Sequence, residues 1–207
     1  LSSSAASDVY KRQEVEIVSR ALSGEIVKSN YGQVAKRAKK LGSSLEAYGI
    51  KHGQNVGSLA LNTYRNMEMY YGISGMGAVM HTINFRLHPE QVVYIINHAE
   101  NRIIFLETVF APLLEAIQAN CPTVEKYVLL CSKEEMPETT LKDAISYEEF
   151  IDDGDESYEW PELEEDAPCG LCYTSGTTGN PKGVLYSHKS TLLLSLIHIS
   201  EPTRHCL

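Results

Sequence analysis

Residues 173–188 read YTSGTTGNPKGVLYSH, a hydroxyl-rich, glycine-punctuated loop that ends in a lysine and runs into a short apolar segment. Gly176, Gly179 and Gly183 lack a Cβ, so the backbone can take positive φ and bring its N–H groups close to a ligand. The hydroxyls of Thr174, Ser175, Thr177 and Thr178 can donate to phosphate oxygens. Lys182 adds a compact positive charge beside the rigid Pro181. The composition suits a polyphosphate. It is not the usual phosphate loop, G-x-x-x-x-G-K-[ST], because Pro181 precedes the lysine and Gly183 follows it. A generic Gly/Ser/Thr turn before a strand is the competing reading.

Taken whole, the string resembles the signature of the adenylate-forming superfamily: an aromatic residue, TSG, Ser or Thr, TG, any residue, then PKGV. Every position matches. The likeness extends to residues 61–105, LNTYRNMEMYYGISGMGAVMHTINFRLHPEQVVYIINHAENRIIF, which resemble medium- and long-chain fatty acyl-CoA ligases, close to the methylmercaptopropionate-CoA ligase branch. It runs from about residue 14 to 190. Phe85 departs from it, since that branch has proline there.

The resemblance implies an incomplete N-terminal domain of the adenylate-forming fold, α/β with a mostly parallel sheet. It also implies a reaction: a carboxylate and ATP give an acyl-adenylate and pyrophosphate, and the acyl group passes to the thiol of coenzyme A. On this reading Thr174, Ser175, Gly176, Thr177, Thr178, Gly179 and Lys182 hold the ATP phosphates. Mg2+ and coenzyme A serve the full-length enzyme, and a fatty acid is the small-molecule carboxylate. Family members carry further motifs after this loop, for adenine, ribose and a catalytic lysine, and none occurs here. The chain itself is therefore expected to hold no catalytic residue, to provide no metal site and to be inactive alone. Another adenylate-forming enzyme, such as an amino-acid adenylation domain, is one alternative; a non-catalytic nucleotide-binding module is another.

Working outward from the loop, Cys169–Tyr173 reads as the strand that delivers it and Gly183–Tyr186 as the strand that leaves it, with His188 a helix-start or packing residue. Before that lies an acidic stretch, Glu134–Asp166, with 15 carboxylates against the single Lys142. Its Pro137, Gly154 and Pro161 suggest a surface excursion with one short helix near Tyr147–Ile151. Asp152 and Asp153 lack the ligand pattern of a calcium loop.

Further upstream, apolar runs at Asn55–Leu61, Gly77–Asn84, Arg102–Leu106 and Tyr127–Cys131 alternate with helical patterns. One spans Tyr64 to about Met76, with Asn62 or Thr63 as cap. A second opens at Pro89, and a third opens at Pro112 and is closed by Asn120 and Pro122. Alternation of this kind predicts parallel pairing with crossover helices. Tyr31, Val34, Ala35, Ala38, Leu41, Leu45 and Tyr48 recur at helical spacing between Asn30, a cap, and Gly49, a stop. Lys36, Arg37, Lys39 and Lys40 form the opposite, solvated face. Glu14–Arg20 and Glu25–Lys28 flank Ser23-Gly24 as a small hairpin.

The ends read differently. Ser3–Gln13 and Leu194–Arg204 resemble in-frame translations of adapters ligated to sequencing-library fragments, so residues 1–13 and 194–207 are expected to be non-native and 14–193 the partial AMP-binding domain. The apolar run Leu192–Ile199 is too short for a bilayer span, which needs about 20 residues, so no transmembrane segment is expected.

The formal charge of −9 is concentrated in the acidic stretch, and no basic stripe suggests nucleic acid. Cys169 and Cys172 form C-x-x-C, but Cys121 and Cys131 do not provide the second pair a zinc site wants. Reduced, packed cysteines imply a cytoplasmic protein. Acyl-chain length, source and oligomeric state have no signal in these residues.

Overall fold

The computed structural model describes residues 13–22, 24–174 and 180–200. Strands β1 (Glu16–Arg20) and β2 (Ile26–Asn30) form the antiparallel hairpin predicted from alternation, with β1 starting two residues later than expected and β2 running two residues further; Ser23 at its turn lies outside the described residues. Asn30 ends β2 and caps α1 (Tyr31–Tyr48). Its side chain accepts from the Gln33 N–H at 2.8 Å, and Gln33 returns a bond from the Asn30 N–H at 3.1 Å. Reciprocal capping satisfies two amide donors that the first helical turn leaves free. Gly49 closes the helix at φ 93°, a left-handed conformation that a side chain would strain.

Seven strands make the main sheet: β3 (Asn55–Leu59), β4 (Val79–Thr82), β5 (Ile103–Leu106), β6 (Lys126–Leu129), β7 (Ala144–Ser146), β8 (Pro168–Thr174) and β9 (Lys182–Ser187). Their order is β7-β6-β5-β3-β4-β8-β9, parallel throughout except for the antiparallel β8–β9 pair. The mostly parallel α/β architecture is thus present; β3 to β6 are shorter than the apolar runs that announced them, while β8 and β9 each extend one residue further at both ends than expected.

Helix α2 (Tyr64–Gly75) connects β3 to β4, and α3 (Pro89–His98) carries the chain from β4 back past β3 to β5. The direction reverses at β4, so right-handed crossovers require these two helices to lie on opposite faces. Side-chain alternation shows that they do. Ile103 and Phe105 pack with Val56, Met80, Met69 and Ile73 of α2 and Leu41 and Leu45 of α1, whereas Ile104 and Leu106 pack with Val92, Ile95 and Ile96 of α3. α4 (Ala111–Ile117) joins the α3 face through Leu114 and Ile117. α5 (Tyr147–Asp152) joins the α1–α2 face through Tyr147 and Ile151. Each fully buried Leu, Ile or Phe stabilises the fold by about 1.5–3 kcal/mol, and burial on both faces explains why these strands read as continuous apolar runs.

The acidic stretch is more than a surface excursion. Within it Ala144–Ser146 adds an edge strand parallel to β6, Leu141, Tyr147 and Ile151 are buried, and the predicted short helix is α5. Trp160 then crosses the outside of α1 and α2. A Cβ at Gly42 or at Gly75 would come within 2.9 Å of its ring, so both glycines are the floor of its slot. Between the same helices, a Cβ at Gly72 would meet the Ala38 carbonyl at 2.9 Å. Two backbones approach closely there, and the Trp160 strap lies across the approach.

Arg37 corrects the expectation of a wholly solvated basic face. It sits beside the Val34–Ala38–Leu41 stripe and turns inward, its Nε donating to Glu68 at 2.7 Å and its two Nη atoms to Glu148 at 2.9 and 3.0 Å. Arg65 donates to the same Glu148 oxygen at 3.0 and 3.1 Å, and the Tyr147 hydroxyl donates to Glu68 at 2.9 Å. Burial pushes the Glu68 carboxyl up, against the pull of Arg37 and Tyr147. For Glu148 burial acts in the same sense, but the two arginines outweigh it and hold the carboxylate below its ordinary range. The network ties α1, α2 and α5 together, and each buried charge has hydrogen-bonded partners.

Candidate functional site

β8 ends at Thr174 and β9 begins at Lys182, both at the carboxyl edge of the sheet. Thr174 pairs with Lys182 at the end of the β8–β9 ladder, and the Thr174 hydroxyl donates to the Lys182 carbonyl at 3.4 Å. The predicted phosphate ligands are therefore bracketed by two described residues. Ser175, Gly176, Thr177, Thr178 and Gly179 lie outside the described residues. Thr174 and Lys182 are both exposed, and no carboxylate among the described residues pairs with the Lys182 ammonium. A hydroxyl and an uncompensated cation thus stand on either side of the loop.

The sheet places this frame where ligands collect. β3 sends its connection to the α1–α2 face, while β4 and β5, on either side of it, send theirs to the α3–α4 face. Diverging connections open a crevice at the carboxyl ends of such strands, and β8 lies directly beside β4. A surface depression bounded by Gln118, Cys121, Pro122 and Tyr127 lies instead near the amino end of β6, away from the loop.

Around Tyr173, near the end of β8, stand aromatic and polar side chains that the sequence did not single out: His98, Tyr94 and His81. The Tyr173 hydroxyl shares a 2.6 Å hydrogen bond with Nδ1 of His98, at the last turn of α3. The Tyr94 and His98 rings stack at 5.4 Å, and the Tyr173 ring lies 5.1 Å from the His81 ring. His81 is fully buried on β4, with Nδ1 2.7 Å from the Asn101 oxygen, and its Nε2 has no hydrogen-bond partner among the described residues. Burial lowers the His81 pKa to about 4, only partly opposed by Asn101, so the imidazole is neutral at neutral pH. On the other side of β8, the Cys172 thiol and Thr82 hydroxyl are 3.0 Å apart. Cys121, Cys131, Cys169 and Cys172 are free thiols. His188 begins α6 (His188–Ser200), as its sequence position suggested, and half-burial lowers its pKa. No single motif marks His98 or His81 in sequence; their partners come from other elements.

Glu107, just past β5, is 6 % exposed, and burial raises its pKa against a bond from the Leu61 backbone. No cluster of three His, Cys, Asp or Glu residues able to hold a metal occurs among the described residues. The donors here, a hydroxyl and an ammonium, match phosphate oxygens. They do not form a carboxylate cage for Mg2+, so the ion fits this edge as part of a phosphate complex, which is how magnesium commonly binds.

The AMP-binding enzyme family model matches residues 8–205. The chain belongs to the AMP-binding enzyme family. The 3-methylmercaptopropionyl-CoA ligase of Ruegeria pomeroyi is 46 % identical over 194 residues, 94 % of this chain and 35 % of that protein. The medium-chain-fatty-acid–CoA ligase of Ectopseudomonas oleovorans is 44 % identical over 87 % of this chain and 33 % of its own length. Among solved structures, the anthranilate CoA ligase AuaEII in complex with anthranoyl-AMP superimposes with a TM-score of 0.75 at 29 % identity, over 82 % of this chain and 32 % of that one. The N-terminal domain of FACL13 from Mycobacterium tuberculosis gives 0.73 at 25 % identity, over 88 % and 43 %. This AMP-binding chain spans about a third of the length of the curated relatives it matches.

Proposed function

We propose that this chain is the N-terminal part of an ATP-dependent fatty acyl-CoA ligase and that residues 174–182 hold the β- and γ-phosphates of ATP. The carrying observation is the frame at the carboxyl edge: exposed Thr174 and Lys182 pair at the end of the β8–β9 ladder, on either side of the hydroxyl-rich segment in sequence, and Lys182 has no carboxylate partner among the described residues. The printed activities of the relatives support the class, since each joins an acid to coenzyme A.

In the reaction a carboxylate oxygen attacks the α-phosphorus, the bond to the bridging oxygen breaks, and pyrophosphate leaves with the charge. A preorganised cation and donors at the leaving phosphates favour that charge separation. Mg2+ bound with the nucleotide would supply further neutralisation. Acyl transfer to coenzyme A would use residues beyond this chain, and so would the catalytic lysine, adenine and ribose contacts. The chain alone is therefore inactive on this reading, and the enzyme is cytoplasmic.

Residues 14–193 are the native part on the same reading, with 1–13 and 194–207 derived from adapters. Sequencing the uninterrupted reading frame across both junctions tests that boundary. The function is tested by assaying the full-length parent for carboxylate-dependent pyrophosphate release. Release with aliphatic acids and transfer to coenzyme A supports the ligase; transfer to a carrier domain reassigns it to the amino-acid adenylation class. No release with any aliphatic acid rejects the fatty acyl proposal.

A further inference from the structure

We infer that His98 is a positioning residue for the phosphate loop, acting through Tyr173. The inference rests on the reading of residues 174–182 as the ATP phosphate site.

Tyr173 immediately precedes Thr174, so its backbone sets the point from which the loop departs. Its side chain leans toward the α3 face, where Val79, Ala99 and Leu171 form a small buried cluster with the Tyr173 ring against it. That cluster is slight beside the two main cores, because β8 lies near the end of the sheet with only β9 beyond it. Apolar packing alone gives this strand end a shallow hold. The 2.6 Å bond to His98 adds a directional one.

His98 is well placed to act as an anchor. Tyr94 lies one helical turn earlier and stacks on the imidazole at an interplanar angle of 29°, which restricts its rotation. The His98 and Tyr173 rings meet edge to face at 87°, with centroids 5.8 Å apart. α3 begins at Pro89, directly after the segment that leaves the carboxyl end of β4. One hydrogen bond therefore ties the end of β8 to the last turn of α3, the helix that follows β4. Neutral imidazole accepts the bond from the tyrosine hydroxyl in one tautomer and donates to it in the other, so the tie holds in either. Phosphate donors contribute to rate only when held within a fraction of an ångström of their working geometry, and a strand end free to sway would relax that geometry.

The test uses the full-length parent with His98→Leu, Tyr173→Phe, both together, His98→Asn and Lys182→Ala. Asn places an amide close to the position of Nδ1 and retains the bond. Each of the first two variants should raise the KM for ATP about two- to tenfold, the range expected for one lost hydrogen bond. The carboxylate KM should not change, the double variant should be no worse than either single one, and His98→Asn should recover most of the loss. An unchanged ATP KM, additive losses in the double variant, equal shifts in both KM values, or no recovery with Asn each overturn the inference. If Lys182→Ala abolishes adenylation while His98→Leu and Tyr173→Phe behave as the parent, the positioning role is rejected and the phosphate site stands. If Lys182→Ala has no effect, both are rejected.

Discussion

Lys182 is the exposed first residue of β9 with no carboxylate partner among the described residues, an arrangement that favours an anion arriving from solvent. Lys182→Ala in the full-length enzyme should lower the adenylation rate about a hundredfold, on the scale of removing one preorganised donor from a charged transition state. Melting temperature should be unaltered, because the residue is exposed. Pyrophosphate exchange measured alongside thermal unfolding checks both halves of this. His81 behaves in the opposite way, as a stability residue with a pH signature. Its folded pKa of about 4 lies below the ordinary 6.5, so the unfolded chain takes up the extra proton as pH falls through that window. Stability is complete above about pH 6.5 and is lost toward pH 4, by up to about 3 kcal/mol. His81→Gln should flatten that loss in a pH series of unfolding curves; an unchanged slope would mean that carboxylates carry it. At this scale the sequence displayed the loop proposed here as the phosphate site, because the order of its residues is a local signal. It concealed His98 and His81, whose partners Tyr173 and Asn101 come from other elements.

Elements were legible where their signals are local. Asn30 and Gly49 bound α1 as sequence chemistry requires, and Pro89 opens α3 at the position where its missing N–H costs nothing. β7 was not legible, since three residues, Ala144–Ser146, are too few to show a period and stand among carboxylates that signal solvent. The inward turn of Arg37 was equally hidden, because its partners Glu68 and Glu148 come from helices far along the chain. The approach of α1 to α2 makes a specific demand: Gly72 faces the Ala38 carbonyl, and backbone cannot swing aside as a long side chain can. Gly72→Ala should destabilise the protein by about 1–3 kcal/mol, the usual cost of overpacking. Denaturant titration with an unchanged m-value would show it, and a midpoint equal to that of the parent would contradict the packing.

For the whole molecule, the alternating runs were enough to give a parallel sheet with crossover helices, but strand order and the placing of helices on both faces came from the reversal at β4, which no local pattern encodes. The sheet ends in β7 on one side and β9 on the other, and β9 exposes Val184, Leu185 and Tyr186, with Leu185 61 % exposed. The β1–β2 hairpin similarly exposes Val18 and Ile26. Unpaired edges and open apolar surface recruit further chains. The 207-residue chain expressed alone should therefore associate in a concentration-dependent way and fold marginally. Sedimentation over a dilution series and a thermal melt check this, and a monomer that melts cooperatively would contradict it.

Trp160 is the chain's single tryptophan, and its indole lies on the glycine floor formed by Gly42 and Gly75. The Tyr158 ring meets it edge-on at 5.5 Å. Ultraviolet emission excited at the red edge of the absorption band therefore comes from one place, the crossing of the acidic strap over two helices. Lifting the strap would move that indole into water and shift its emission to longer wavelength, while the rest of the chain stays dark. The protein thus carries a built-in optical probe of whether its strap is seated.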